Sequence, residues 1–220
     1  MRFLLVLPTL ALGLLIPAQQ VPAQQVGRTQ SQFEVPPVLR TGDSWIYGWK
    51  QDARGRRSEG TYTRQVVRKD TFGGQEVYII SVTLRADYDV VDLHLSRIAR
   101  VDGAGNVLVR YGIKGDHIFP LTVGRTFTRH EDEPRRSVTY IYKVENFVDI
   151  RTAAGVLRAV KVMVQGEGSW KGPYGSFSQE SVMYFAPAAK VFVRYSSHEN
   201  DAQGTTTYSE ELVRYKVTPE

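Results

Sequence analysis

The chain has 220 residues with a formal net charge of +5, and it contains no cysteine. The lack of cysteine excludes thiol catalysis, thiolate metal sites and disulfides. Basic and acidic residues are interspersed, as where Arg135 and Arg136 follow the acidic run over 131–133. Because nucleic-acid binders concentrate their positive charge, this pattern predicts no nucleic-acid partner.

Residues 1–23 have the layout of a secretory signal peptide. Arg2 precedes an apolar run over 3–18, and small residues surround the expected cleavage site after Ala23, with cleavage after Ala18 as the alternative. A retained membrane anchor is the less favoured interpretation, because a spanning helix needs about 20 apolar residues. We therefore expect a periplasmic or secreted protein with no integral membrane span in the mature chain.

The remaining sequence divides into an arm and one domain. Residues 24–40 are rich in Gln and Pro without periodicity, which predicts a flexible or loosely docked N-terminal arm. Residues 41–217 alternate apolar and polar positions between short turn signals, which predicts a single antiparallel β domain. Turns are expected at 52–60, 73–74, 103–106, 154–155 and 172–175.

The predicted strands follow one another at short intervals. Gly42 and Asp43 open a first strand, and the stretch over 88–101 fits a strand better than a helix. The other predicted strands cover 61–69, 77–84, 107–111, 125–130, 138–147, 156–165, 181–185, 191–195 and 212–217. The fold class is therefore all-β, an antiparallel meander of about ten or eleven strands that forms an open or partly closed barrel, with a β-sandwich as the alternative.

Four segments resemble a known family. Residues 119–127 (FPLTVGRTF) are similar to the FPL-x-VG-x-x-W element of TapB-like and related bacterial envelope proteins, and residues 144–162, 183–191 and 211–215 match its later elements in order. Phe127, Leu157 and the Ala188–Ala189 pair depart from the family pattern. The resemblance implies a periplasmic half-barrel similar to lipoprotein-carrier folds, and it supplies no catalytic residues.

Aromatic side chains are the candidate ligand-binding residues. Trp45, Tyr47 and Trp49 share one face of a predicted strand, and Tyr140 and Tyr142 share a face of another. On a concave sheet these rings could contact an acyl chain, a glycan or a peptide. The alternative is that the same rings fill the core of the barrel.

The polar residues predict neither a catalytic centre nor a metal site. Asp92 and His94 form one pair on a strand face and Asp87 and Asp89 another, but two ligands are too few for a metal. No cofactor is expected. The favoured function is a non-catalytic envelope binding or carrier module for an amphiphile or glycan. An envelope assembly protein acting through strand edges and a hydrolase with an unrecognised site remain alternatives, and the oligomeric state stays open.

Overall fold

The computed structural model describes residues 32–33, 35–172 and 175–219. The predicted signal peptide over 1–23, the start of the predicted arm and turn residues 173–174 lie outside the described residues. The described strands are β1 (Gln32–Phe33), β2 (Ser44–Ala53), β3 (Arg56–Phe72), β4 (Gln75–Val82), β5 (Tyr88–Asp92), β6 (Arg97–Val101), β7 (Val107–Arg110), β8 (Gly112–Gly115), β9 (Leu121–Thr122), β10 (Thr126–Asp132), β11 (Arg136–Thr152), β12 (Gly155–Trp170), β13 (Ser176–Ala186), β14 (Val191–Asp201) and β15 (Gly204–Lys216).

Thirteen of these strands form one antiparallel sheet in the order β7-β6-β5-β4-β3-β2-β15-β14-β13-β12-β11-β10-β8. The sheet curls into a nearly closed barrel with one unsealed seam. The seam lies between β7 and β8, the two edge strands, which are joined in the chain by Tyr111 alone. The predicted all-β meander in a partly closed barrel is thus confirmed, and the sandwich alternative is not.

Two local predictions are wrong. The polar turn expected over 52–60 is a two-residue turn at Arg54 and Gly55, which have φ values of 56° and 83°. The flanking residues extend β2 and β3, because paired strands at the end of a hairpin can be polar on both faces. The single strand expected over 88–101 is a hairpin, β5–β6, whose turn is held by the Asp92 carboxylate accepting from the backbone amides of His94 and Ser96.

Alternating residues of the strands build three apolar clusters. The first surrounds the start of β2, the second surrounds β11 and β12, and a smaller third lies on β4, β5 and β6. Representative buried members are Trp45, Tyr47, Tyr78 and Leu212 in the first cluster, Phe127, Tyr140, Val162 and Phe185 in the second, and Val77, Val90 and Ala99 in the third. Burial of these rows stabilises the curled sheet by removing apolar surface from water.

The described part of the predicted arm packs on the domain. Phe33 pairs with Leu121 through the small β1–β9 sheet and lies edge-on to Phe147, with ring centroids 5.3 Å apart. Leu39 is buried, and its amide donates to the Tyr78 hydroxyl at 3.2 Å. Phe33 and Leu39 therefore both contact the domain, and the character of the whole 24–40 arm stays a prediction.

A short 3₁₀ turn over Pro187–Ala189 separates β13 from β14. Lys190 closes it with a left-handed backbone, φ 61°. Its ammonium donates to the Val38 carbonyl at 2.8 Å, so the strained residue also anchors the arm. Within the described ranges, no helix has the length and apolar character needed to cross a bilayer.

Candidate functional site

A cavity of about 520 Å³ lies between the two sides of the seam and is partly open to solvent. Its lining comes from β3 to β6 on one side of the seam, from β8, β10 and β11 on the other side, and from β13, β14 and β15 in the middle of the strand order. The lining combines eight charged residues, four tyrosines, one serine and seven apolar residues: Arg64, Arg85, Arg97, Arg129, Asp89, Glu131, Glu133, Glu210, Tyr62, Tyr111, Tyr142, Tyr208, Ser96, Val82, Leu84, Leu95, Ile113, Ile118, Met183 and Phe192.

One wall of the cavity carries an arginine cluster around Asp89. This carboxylate is 3 % exposed and lies 2.8 Å from an Nη2 of Arg85. Arg97 and Arg64 approach the same carboxylate at 3.9 and 4.0 Å. Because three guanidinium groups share one carboxylate, this wall has an excess of positive charge.

The other wall is formed by β10 and carries Arg129 and Glu131. Arg129 is 2 % exposed, and its Nη2 lies 3.4 Å from Oε1 of Glu131. Burial raises the pKa of Glu131 above its ordinary 4.5; Arg129 opposes this rise, and Glu133 adds to it. Within the described part of the chain, Nε of Arg129 has no hydrogen-bond partner. This wall therefore contains a buried cation that is incompletely satisfied.

Two tyrosines hold the Glu210 carboxylate. The hydroxyls of Tyr62 and Tyr208 donate to its Oε2 at 2.6 and 2.7 Å. Burial and then the negative charge of Glu210 raise the pKa of both tyrosines above 10.0. Both phenols therefore stay protonated at neutral pH and act as hydrogen-bond donors on the cavity wall.

Trp45 and Tyr47, two of the predicted ligand-binding residues, lie in the packed core. The indole Nε1 of Trp45 donates to the Ala189 carbonyl at 2.7 Å, and the Tyr47 hydroxyl donates to the Phe192 carbonyl at 2.9 Å. Tyr47 also stacks on Tyr62, with ring centroids 5.3 Å apart. The Tyr47 ring thus packs directly behind a residue that lines the cavity.

The other three predicted residues have different surroundings. Tyr142 lines the cavity and stacks on Phe127 at 4.7 Å between centroids. Tyr140 and half-buried Trp49 cover glycines of neighbouring strands. Of the five aromatic residues, the structure therefore brings Tyr142 to the cavity. Ligand binding by these residues stays a prediction.

The histidine and aspartate pairs singled out in the sequence have local partners. Asp87 pairs with Arg100, and Asp92 accepts the turn amides of β5–β6. His94 stacks on His117 with centroids 3.8 Å apart. Across the described ranges, no three His, Cys, Asp or Glu side chains are grouped so that they could hold a metal ion.

The charged cavity residues were not among the predicted site residues. A signal for them exists in β10, where Arg129 and Glu131 alternate with exposed positions on the face that carries Phe127. Charged residues at inward positions of a strand are unusual in a packed core and indicate a polar cavity. The local sequence pattern does not indicate, however, which residues on the two sides of the seam come together.

No protein-family model and no curated protein matches the chain. Two crystal structures are similar to it. One is a Bacteroides fragilis protein named as a candidate exported protein with a YmcC-like fold, with 13 % identity and a TM-score of 0.47 over 84 % of this chain and 100 % of the other. The second is a Parabacteroides distasonis protein named as a candidate lipoprotein, with 12 % identity and a TM-score of 0.48 over 83 % and 99 %. Similarity at this level establishes neither a family nor a function, so the TapB-like resemblance stays a prediction.

Proposed function

We propose that this chain is an exported envelope protein that binds a small amphiphilic molecule in the seam cavity. The observation that carries the proposal is the mixed lining of a 520 Å³ cavity. Small-molecule sites have volumes of roughly 300–1,000 Å³ and combine apolar walls with a few polar groups. The signal-peptide pattern of residues 1–23 supports export.

The lining favours an amphiphile over a purely polar ligand. Ile118 and Phe192 contribute apolar surface, whereas Arg129 and the Tyr62–Glu210 pair contribute charges and hydrogen-bond donors. A ligand with an acyl body and a polar head can satisfy both kinds of group at once. The partly open seam supplies a route into the barrel.

The proposal is tested with the full chain expressed with its own N-terminal segment in a bacterial host. Organic extraction of the purified protein followed by mass spectrometry is expected to recover an amphiphile at close to one molecule per chain. Ile113→Trp places a large side chain at the cavity wall and is expected to lower the recovered amount several-fold, because it occupies the ligand's space.

Val156→Trp is the matched control. Val156 is 62 % exposed on β12 and lies outside the cavity lining, so this variant should retain the wild-type amount. Recovery of wild-type protein without any amphiphile, or equal loss in both variants, would contradict the proposal.

A further inference from the structure

We propose that the ligand carries a carboxylate and that Arg129 is the residue that binds it. This inference rests on the proposed binding of an amphiphile in the seam cavity and names its chemical class: a carboxylate-bearing acyl chain. Among the residues that the structure describes, no carboxylate is hydrogen-bonded to Arg129, and its guanidinium fork matches the two oxygens of a carboxylate.

Arg129 is a buried cation without adequate partners. The residue is 2 % exposed, and an arginine guanidinium is not deprotonated in proteins. In the described part of the chain, its side chain makes one ion-pair contact, with Glu131, and its Nε has no hydrogen-bond partner. An incompletely paired buried charge is costly, and a bound anion would relieve that cost.

The acidic residues of the cavity do not supply a well-paired carboxylate for Arg129. The Glu131 contact is long, at 3.4 Å, and burial disfavours the ionised form of this carboxyl group. Asp89 is shared by three arginines on the other wall, and Glu210 accepts from two tyrosine hydroxyls. Glu133 pairs with Arg136 at 3.2 Å.

The same cavity can accommodate an acyl chain. Leu95, Ile113, Ile118, Met183 and Phe192 line it with apolar surface, and a chain placed against them would be removed from water. In the proposed complex the anionic head lies near Arg129, which lines the cavity from the β10 side of the seam. Carboxylates and phosphates both pair with one arginine in two parallel hydrogen bonds, but a carboxylate brings the single negative charge that one incompletely paired arginine balances.

The test compares head groups on one acyl length. Lipid-stripped wild-type protein is titrated by calorimetry with dodecanoate, 1-dodecanol and dodecyl phosphate at about pH 8, where the fatty acid is ionised. Dodecanoate is expected to bind about tenfold or more tightly than 1-dodecanol, the factor that charge-assisted hydrogen bonds provide. This comparison requires no variant.

Variants then locate the head group. Arg129→Gln is expected to reduce dodecanoate affinity about tenfold and to leave 1-dodecanol binding nearly unchanged, and Arg129→Lys should recover part of the loss. Arg158→Gln is the control, because Arg158 has a 59 % exposed side chain and pairs with Asp149 outside the cavity lining.

The outcomes separate the two proposals. If dodecanoate and 1-dodecanol bind equally well, the carboxylate assignment is overturned and amphiphile binding stands. Tighter binding of dodecyl phosphate than of dodecanoate also overturns the carboxylate assignment. If none of the three probes binds, the proposed function itself is contradicted. Unchanged selectivity in a folded Arg129→Gln variant overturns the role of Arg129.

Discussion

Aromatic rings cover glycines across the long strands of the sheet. The Tyr140 ring lies over Gly166, and the Phe177 ring lies over Gly168 on β12. A Cβ at Gly168 would be 2.6 Å from Cζ of Phe177 and 2.6 Å from the carbonyl oxygen of Ser137. Glycine is needed at this position because a ring and a backbone atom occupy the space of a side chain.

Gly168→Ala is therefore expected to lower the free energy of unfolding by about 1–3 kcal/mol, the usual range for overpacking. Urea unfolding monitored by tryptophan fluorescence measures the change. Gly103→Ala is the control, since no atom of the described residues lies within 4 Å of its added Cβ and its φ is not positive; it should stay within about 0.5 kcal/mol of wild type. An equal effect of the two substitutions would refute the close-contact explanation.

At the scale of elements, Asp43 joins three segments that are distant in the chain. It is 1 % exposed at the start of β2, and its Oδ2 accepts from the Arg40 amide at 2.9 Å. Its Oδ1 accepts from the Thr218 amide just after β15 at 2.7 Å. Lys190, which follows the 3₁₀ turn, places its ammonium 3.8 Å from the same carboxylate.

Asp43→Ala is expected to destabilise the protein by about 3 kcal/mol, because it leaves two amides without their acceptor and a buried ammonium without its carboxylate. Asp43→Asn keeps one oxygen acceptor and should cause a smaller loss. Asp149→Ala is the control, since this side chain is 66 % exposed and its ion pair with Arg158 is at the surface. Chemical unfolding of the three variants gives the comparison, and a loss below about 1 kcal/mol for Asp43→Ala would contradict the prediction.

At the scale of the whole molecule, closing the sheet buries charge inside the barrel. Glu131 is the acid whose environment disfavours ionisation: burial raises its pKa, Arg129, Arg136 and Arg97 lower it, and Glu133 raises it further. The folded state consequently holds this proton more tightly than the unfolded chain does. The associated stability is fully present below about pH 4.5 and is lost as the pH rises through the raised pKa.

Glu131→Gln carries a neutral group at every pH and should remove this loss. The variant is expected to gain stability relative to wild type as the pH rises from about 4 to 8, which urea midpoints at several pH values will measure. Glu145→Gln serves as a control of opposite sign, because Lys161 lowers the pKa of half-buried Glu145 and makes its contribution disappear as the pH falls. If the difference in unfolding free energy between Glu131→Gln and wild type does not vary with pH, the raised pKa of Glu131 is contradicted.

Much of this fold was predictable from local patterns. The period-two rows that contain Tyr140, Tyr142 and Val144 predicted β11, and paired glycines at 73–74 and 103–106 predicted turns. Strand lengths were underestimated because hairpin ends such as Ala53–Arg56 are polar on both faces. The aromatic residues drew attention as candidate ligand contacts, and only Tyr142 of the five lines the cavity.

The sequence by itself determined the all-β class and the hairpins between consecutive strands, because alternation and turn chemistry act between near neighbours. The pairing of β2 with β15 and of β8 with β10 joins strands that are not consecutive, and it was decided by the tertiary structure. Only the tertiary structure decided which polar residues meet. Asp89 gathers arginines from β3, β6 and the segment before β5, and Arg97 lines the same cavity as Glu131. These contacts depend on how far the sheet curls, which is set by the packing of the entire barrel and has no signature within any one strand.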